Sequence, residues 1–480
     1  MAEPRYLQND LKPVATDTKN LDATLNSLKR TIASSIELLI RHVKAKSGST
    51  RDSLYTGDAG IALMFLRFSV QLEAAGLGDC LKKDIQAQIP SILNDLLPPL
   101  KVYQLRPGHL SPLDSPVGSA VVYILSMLLD RGTSSDSSSS SVNTTDDKDW
   151  AATIQTLGNA VKTATEDQSL GGDEVLYGRA GLLWAMLNLQ TWASARGVPR
   201  QMEEDIAQAV NPKTIEQVIG RISEAGKLGA RWYGRNYGEE PLPLMWFWHD
   251  KFYLGAILNI LIGNCYIAGI LTVLLQAPKA MITPHIRLIM LCISALCDIT
   301  VHKDGYLPSS LPAKSRTYEY TQICHGSPGL LVLLATFRFH FPDDWREDWG
   351  TAEALAAEKV WEEGLVRKGI GICHGVSGNA WTLLLQGLSH TEEKETSIFL
   401  SRALAFLLKS TELPPLVPGE STPFRTPDHP YSLFEGLAGA VCAWIDACVI
   451  IRAYLGEDKA STKMVLGFPG LGGASRHGYL

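Results

Sequence analysis

Two short stretches, Gln322-Ile323-Cys324-His325-Gly326-Ser327-Pro328-Gly329 and Gly371-Ile372-Cys373-His374-Gly375-Val376-Ser377-Gly378, repeat a Cys-His-Gly-x-x-Gly pattern 49 residues apart. Thiolate and imidazole are the ligands that Zn²⁺ prefers. With 8 Cys and 11 His in 480 residues, composition alone does not account for such a pair twice in one glycine frame. Three readings follow from the residues. A closed Cys₂His₂ site would use both pairs, but adjacent Cys and His are not a usual chelating spacing. A three-ligand site would leave one tetrahedral position for water or substrate, the arrangement of catalytic metals. Two buried core thiols without metal are the plainest alternative, and the shared frame weighs against them.

The glycine frame recurs well beyond these copies. Gly57/Gly60, Gly178/Gly181, Gly326/Gly329, Gly375/Gly378 and Gly436/Gly439 are intact Gly-x-x-Gly pairs, while Gly118 and Gly269 mark worn copies in Gly118-Ser119-Ala120-Val121 and Tyr266-Ile267-Ala268-Gly269. First positions at 57, 118, 178, 266, 326, 375 and 436 give steps of 61, 60, 88, 60, 49 and 61. A step near sixty residues accommodates two helices of about 11 to 15 residues with their loops. Apolar runs such as Leu330 to Ala335 and Ala440 to Ile451 follow the frames, and no alternating hairpin pattern competes. The expectation is an all-α chain of seven helical hairpins. Closing them into a ring would collect the frames, and their side chains, at one rim.

The signature Tyr177-Gly178-Arg179-Ala180-Gly181, Cys324-His325-Gly326-Ser327-Pro328-Gly329 and Cys373-His374-Gly375-Val376-Ser377-Gly378-Asn379-Ala380 resembles the LanC-like proteins, eukaryotic relatives of bacterial lanthionine cyclases. The segment Pro427-Asp428-His429-Pro430-Tyr431-Ser432-Leu433-Phe434-Glu435-Gly436 is similar to that family too, and the likeness runs from about Arg5 to Gly470. It implies an α/α toroid of seven inner and seven outer helices with one zinc ion at the rim. It also implies Cys324, Cys373 and His374 as the ligands, leaving out His325.

A sulfur-rich open zinc site suits thiol chemistry, because the ion lowers the pKa of a bound thiol while cysteinate ligands keep it nucleophilic. The resemblance implies glutathione as the thiol and a dehydroalanine or dehydrobutyrine residue in a peptide or protein as acceptor, giving a thioether. Glutathione carries two carboxylates, which cations recognise. Lys368, Arg425 and, as a weaker match, Arg5 correspond to the family's glutathione contacts, although each alone reads as a solvated surface charge. Glu174 matches an acidic group that assists catalysis in bacterial relatives, and equally suits a helix start.

One frame departs from the pattern. Relatives carry Ala-His-Gly-x-Ala-Gly where this chain reads Asn264-Cys265-Tyr266-Ile267-Ala268-Gly269, so Cys265 stands in the position of a proton-donating histidine and Ile257 to Gly263 are surplus. Either the histidine is lost or the transcript differs from the given sequence across codons 250 to 272. His249 in Trp246-Phe247-Trp248-His249-Asp250 is a substitute of lower standing, since aromatic-flanked histidines are usually structural. Two functions are therefore carried forward. One is enzymatic thiol addition; the other is a non-catalytic zinc- and glutathione-binding regulator of a kinase or other partner. A glycosidase on the same kind of toroid would need a facing acid pair, and none is evident.

Net charge −6, pI near 6.0 and the lack of a Lys/Arg stripe argue against nucleic acid. Eight scattered cysteines and no apolar leader lead to an expected cytoplasmic location. Phe252 to Ala277 lacks charge over a span-like length, for which a buried ring helix is the preferred account, with peripheral membrane contact left open. One domain is expected across 1–480, with a disordered Ser-rich loop at 132–149 and a flexible tail at 457–480.

Overall fold

The computed structural model describes residues 5–46, 52–97, 100–133, 144–169, 171–195, 197–248, 251–256, 267–312, 319–457 and 459–472. Fourteen of its helices alternate between two concentric layers. The outer set is α1 (Thr18–Ala45), α3 (Ile89–Leu96), α5 (Thr144–Glu166), α7 (Pro212–Tyr237), α9 (Ile286–His302), α11 (Trp349–Glu363) and α13 (Glu393–Ser410). The inner set is α2 (Asp58–Gln71), α4 (Val117–Thr133), α6 (Arg179–Ala193), α8 (Ile267–Leu275), α10 (Ser327–His340), α12 (Val376–Ser389) and α14 (Leu437–Tyr454). Further helices, Arg200–Ala209 among them, decorate the connections.

Sequence pattern separates the layers. In α1 the buried Leu21, Leu25, Leu28, Ile32, Ile36, Leu39 and Val43 recur every three or four residues, a single apolar stripe facing inward. In α14 every residue from Leu437 to Ile451 is buried, as expected of a helix surrounded on all sides. Its 18-residue window is apolar enough to cross a bilayer, yet 83% of it is buried inside the protein. The described parts of the uncharged stretch, 252–256 and 267–277, are buried as well.

Each inner helix touches the next, and α14 returns to touch α2. At six of the seven junctions the loops entering the inner helices are also joined by backbone hydrogen bonds. Tyr55 N donates to Leu113 O (2.9 Å), Leu110 N to Tyr177 O (2.7 Å), Ala256 N to Ile323 O (3.3 Å), Cys324 N to Cys373 O (3.2 Å), Cys373 N to Phe434 O (3.0 Å) and Phe434 N to Tyr55 O (3.1 Å). The last of these joins the seventh frame to the first. The seven-frame, all-helical reading of the sequence is thereby realised as a closed ring.

Three features depart from expectation. A small antiparallel sheet joins Phe247–Trp248, Lys251–Tyr253 and Ser310–Leu311; strands this short leave no periodicity to read. Helices α4 and α5 continue to Thr133 and from Thr144, so the loop expected at 132–149 is narrower, its remaining residues lying outside the described ones. A polar segment suits a solvent-facing helical turn as well as a loop. Finally, residues 465–472, expected in a flexible tail, are all buried. Asp446 accepts hydrogen bonds from Leu466 N (3.0 Å) and Gly467 N (2.9 Å), an anchor twenty residues away that composition does not reveal.

Candidate metal centre

Each inner helix begins where its loop folds back over the first turn, and this contact explains the second glycine of the frame. A Cβ on Gly60, Gly181, Gly378 or Gly439 would lie 2.1, 2.1, 1.9 or 2.0 Å from the carbonyl oxygen six residues earlier, at Leu54, Val175, Ile372 or Leu433. No side chain fits there. Gly326 adds a backbone requirement, with φ at 113° and Tyr320 O 1.9 Å from a built Cβ. The residue two positions before the first glycine is thus held at the same place in successive frames. Those residues include Tyr55, Cys324, Cys373 and Phe434.

In the fifth and sixth frames the result is a cluster. The donor atoms of Cys324, Cys373 and His374 lie within 4.8 Å of one another, and all three residues are buried. A tetrahedral ion with metal–sulfur bonds of about 2.3 Å would set its ligands somewhat under 4 Å apart, so small movements complete a site. Two neighbours donate to the sulfurs: Tyr55 Oη–H to Cys373 Sγ (3.1 Å) and Gln322 Nε2–H to Cys324 Sγ (3.2 Å). Donors aimed at both sulfurs favour thiolate over thiol, the form that ligates metal. Burial first, then the neighbouring Cys324 thiol, pushes the Cys373 pKa well up, opposed by His374. A bound cation would reverse that balance. The set therefore fits a metal ion with three protein ligands.

His325 faces another way. Its ring lies 5.2 Å from that of Tyr320, over which the Arg5 guanidinium sits at 4.2 Å. Arg5 itself belongs to a segment paired with the residues leading to Cys373: Leu7 N donates to Leu365 O (2.9 Å) and Arg367 N to Arg5 O (2.9 Å). Arg425 N in turn donates to Arg367 O (2.8 Å). Three neighbouring backbone segments thus carry Arg5, Lys368 and Arg425, the first and last exposed and Lys368 half-buried.

Glu174 belongs to a different constellation. Its two carboxyl oxygens accept from Leu176 N and Tyr177 N, both at 2.5 Å, and tie the third-frame loop to itself. Burial lifts its pKa to about 8, with the two amides opposing and Asp114 and Asp173 adding to the rise. Next to it Arg179 is clamped by Asp173 (2.7 Å) and Asp167 (2.7 Å) and donates to Ala164 O. Cys265 and His249 lie outside the described residues. The fourth frame is nevertheless recognisable, because a Cβ on Gly269 would lie 2.0 Å from Ala256 O. That contact spans thirteen positions instead of six, and the difference of seven equals the surplus 257–263.

Sequence reasoning missed Tyr55, Gln322 and Glu435. Tyr55 occupies the same offset before Gly57 that Cys373 occupies before Gly375, a signal visible in the repeat register. Its rings stack with Phe434 at 4.9 Å, and burial together with the two thiols raises its pKa well above the usual phenol value. Glu435, half-buried, holds the offset of His374 in the seventh frame and contributes to that rise.

A family model described as lanthionine synthetase C-like protein matches residues 48–448. This chain belongs to that family. It is 28% identical over 285 residues to the Danio rerio protein named glutathione S-transferase LANCL1, covering 58% of this chain and 60% of the relative. It is 29% identical over 279 residues to LanC-like protein GCL1 of Arabidopsis thaliana, covering 57% and 54%. The chain thus spans between half and two thirds of the length of these curated relatives. Among solved structures, nisin cyclase matches with a TM-score of 0.54 at 16% identity, over 89% of this chain and 98% of that one. At that identity the likeness concerns the fold: this LanC-like chain is an α/α toroid.

Proposed function

We propose that this LanC-like protein adds a thiol, glutathione, across the double bond of dehydroalanine or dehydrobutyrine residues in peptides or proteins, using one zinc ion. The reading rests on the convergence of Cys324, Cys373 and His374, with hydrogen-bond donors already aimed at both sulfurs. The printed name of the Danio rerio relative, a glutathione S-transferase, points to the same thiol. Cys324, Cys373 and His374 would hold the zinc. When bound, zinc lowers the pKa of an incoming thiol so that it is ionised near neutral pH.

The chain's own residues supply the rest. Tyr55 and Gln322 orient the two sulfurs and limit their basicity. Arg5, Lys368 and Arg425, on adjoining segments, offer positive charge to the two glutathione carboxylates. In the reaction the sulfur lone pair forms the C–S bond at the β-carbon, the C=C π pair moves to the α-carbon side, and the α-carbon then takes a proton. Glu174, raised to about 8, retains a proton at neutral pH, but its oxygens are engaged by loop amides, so proton delivery falls to another group or to water.

A second reading keeps the binding and drops the turnover. It is favoured by Cys265 at the position of the family histidine. Incubating the purified protein with glutathione and a dehydroalanine peptide separates the two. Enzyme-dependent gain of one glutathione mass supports addition; saturable glutathione binding with no mass gain supports the non-catalytic regulator. Absence of both in zinc-loaded protein would remove glutathione from either reading.

A further inference from the structure

The segment Val465–Gly472 touches inner elements on most sides of the ring. Arg67 of α2 donates to Gly467 O (2.6 Å), and Gln71 of the same helix donates to Met464 O (2.6 Å). Gly470 abuts Leu113 in the loop before α4, with a built Cβ 3.0 Å from its methyl groups. Gln276, just past α8, donates to Leu471 O. The Phe468 ring stacks on Trp381 of α12 with centroids 4.5 Å apart. Asp446 of α14 accepts from Leu466 N and Gly467 N. A short segment can meet the first, second, fourth, sixth and seventh inner positions at once only by lying on the ring axis.

The lining is built for a peptide backbone. Asp446 uses its four hydrogen bonds to hold Gln71 Nε2 (2.7 Å), Trp381 Nε1 (3.0 Å) and two main-chain amides, while Arg67 takes the carbonyl at Gly467. Both edges of one stretch of main chain are therefore read by a buried acid and a buried base. The segment turns back on itself, Phe468 and Gly472 exchanging hydrogen bonds of 2.9 and 2.7 Å, with Gly467, Gly470 and Gly472 at φ of 69°, 79° and 84°. Its glycines thus serve a fixed shape that other residues rarely adopt. Trp381 lies five residues after Val376, the first of α12, so Phe468 sits roughly 8 Å down that helix from its start, beneath the thiol cluster.

We propose that the axial channel is a peptide-binding site for a compact, glycine-rich turn carrying one aromatic side chain, occupied in cis by Val465–Gly472, which thereby forms the floor beneath Cys373. The Arg67–Asp446 pair recognises the main chain, and Trp381 recognises the aromatic ring. This site is distinct from the rim cations and holds whether or not the thiol reaction does.

The test cuts the folded protein. A specific protease site inserted after Glu457 allows cleavage without asking the ring to fold alone. The fragment from 458 onward is expected to co-elute with the ring and to exchange over hours with excess fluorescent nonapeptide of sequence 464–472. The same nonapeptide with F468A should compete at least about tenfold less well, given the area an aromatic side chain buries. Loss of the fragment from a ring that stays helical and does not bind the nonapeptide would overturn the proposal. Unfolding of the ring on cleavage would also overturn it, since the segment would then be core and not ligand. Equal competition by the F468A peptide would overturn the assigned role of Trp381.

Discussion

The third frame and the sixth are built on the same turn and put it to opposite uses. In both, a loop carbonyl packs on a helix-start glycine, Val175 on Gly181 and Ile372 on Gly378. In the third frame the polar side chains turn inward on their own loop: Glu174 takes two local amides and Arg179 is shared among Asp173, Asp167 and Ala164. In the sixth, Cys373 and His374 reach across to Cys324 of the fifth frame and are met by Tyr55 of the first. One frame is a fastening, the other a meeting point. A motif repeated with one geometry therefore does not say which frame carries chemistry; the destination of the side chains does.

The sharpest separation comes from deleting one central group in each. Cys373→Ala should abolish bound zinc, measured by elemental analysis, and with it glutathione addition, while leaving the thermal midpoint of the metal-free protein nearly unchanged. Arg179→Ala should do the reverse. It strands Asp173 in the interior, costing about 3–5 kcal/mol by denaturant titration, with zinc stoichiometry retained in the folded fraction. Equal zinc loss in both variants would erase the distinction.

Paired glycine substitutions test the shared part. Gly181→Ala and Gly378→Ala each force a methyl onto a carbonyl and should lower stability by about 1–3 kcal/mol or more. Only Gly378→Ala, which moves the loop bearing Cys373, should also weaken metal affinity in a chelator competition.

The two regions should answer pH with opposite signs. Glu174 rises from an ordinary 4.5 to about 8 in the folded state, so the folded protein binds more protons than the unfolded chain within that window. Its contribution is greatest below pH 4.5 and declines as pH climbs to 8. Metal affinity should increase over the same range, because thiols and imidazole must shed protons to ligate. Urea midpoints of metal-free protein and zinc affinity, each followed from pH 5 to 8, check both slopes. If Glu174→Gln leaves the urea slope unchanged, Glu174 is not its source.

The smallest effect is expected where the first frame supports the sixth. Tyr55→Phe removes the donor to Cys373 and should weaken zinc binding about tenfold, with a stability change near 1 kcal/mol. No change in affinity would mean that the phenol only packs against Phe434.

Much of this is legible in the sequence, and for a definite reason. A glycine required by a close carbonyl is a local constraint that repeats with the fold, so the frames disclosed the ring and put two Cys-His pairs at one rim, while the choice of Cys324, Cys373 and His374 without His325 came from the family resemblance. The fourth frame was recognisable from Gly269 and its sixty-residue step to the fifth, and the structure explains why that glycine is kept: it receives the carbonyl of Ala256. What escaped notice was decided at long range. Tyr55 donates to a residue 318 positions away, and the fate of 465–472 depends on Arg67, nearly 400 positions earlier. A glycine- and proline-containing terminus reads as slack chain when its anchors are that remote. The pairing of Arg5, Arg367 and Arg425 on adjoining segments has the same origin in backbone contacts between distant stretches.

The closure of the ring, sealed by the bond from Phe434 N to Tyr55 O, has one more implication. An open stack of repeats can lengthen or shorten by a unit at either end, since its terminal modules are tolerant of new neighbours. A circle cannot: six or eight units would demand a different angle at every junction. Evolutionary change in this molecule is thus confined to what each unit carries on its turns and to the length of its connections, and the contact of Gly269 with Ala256 O persists across a connection seven residues longer than in the other frames.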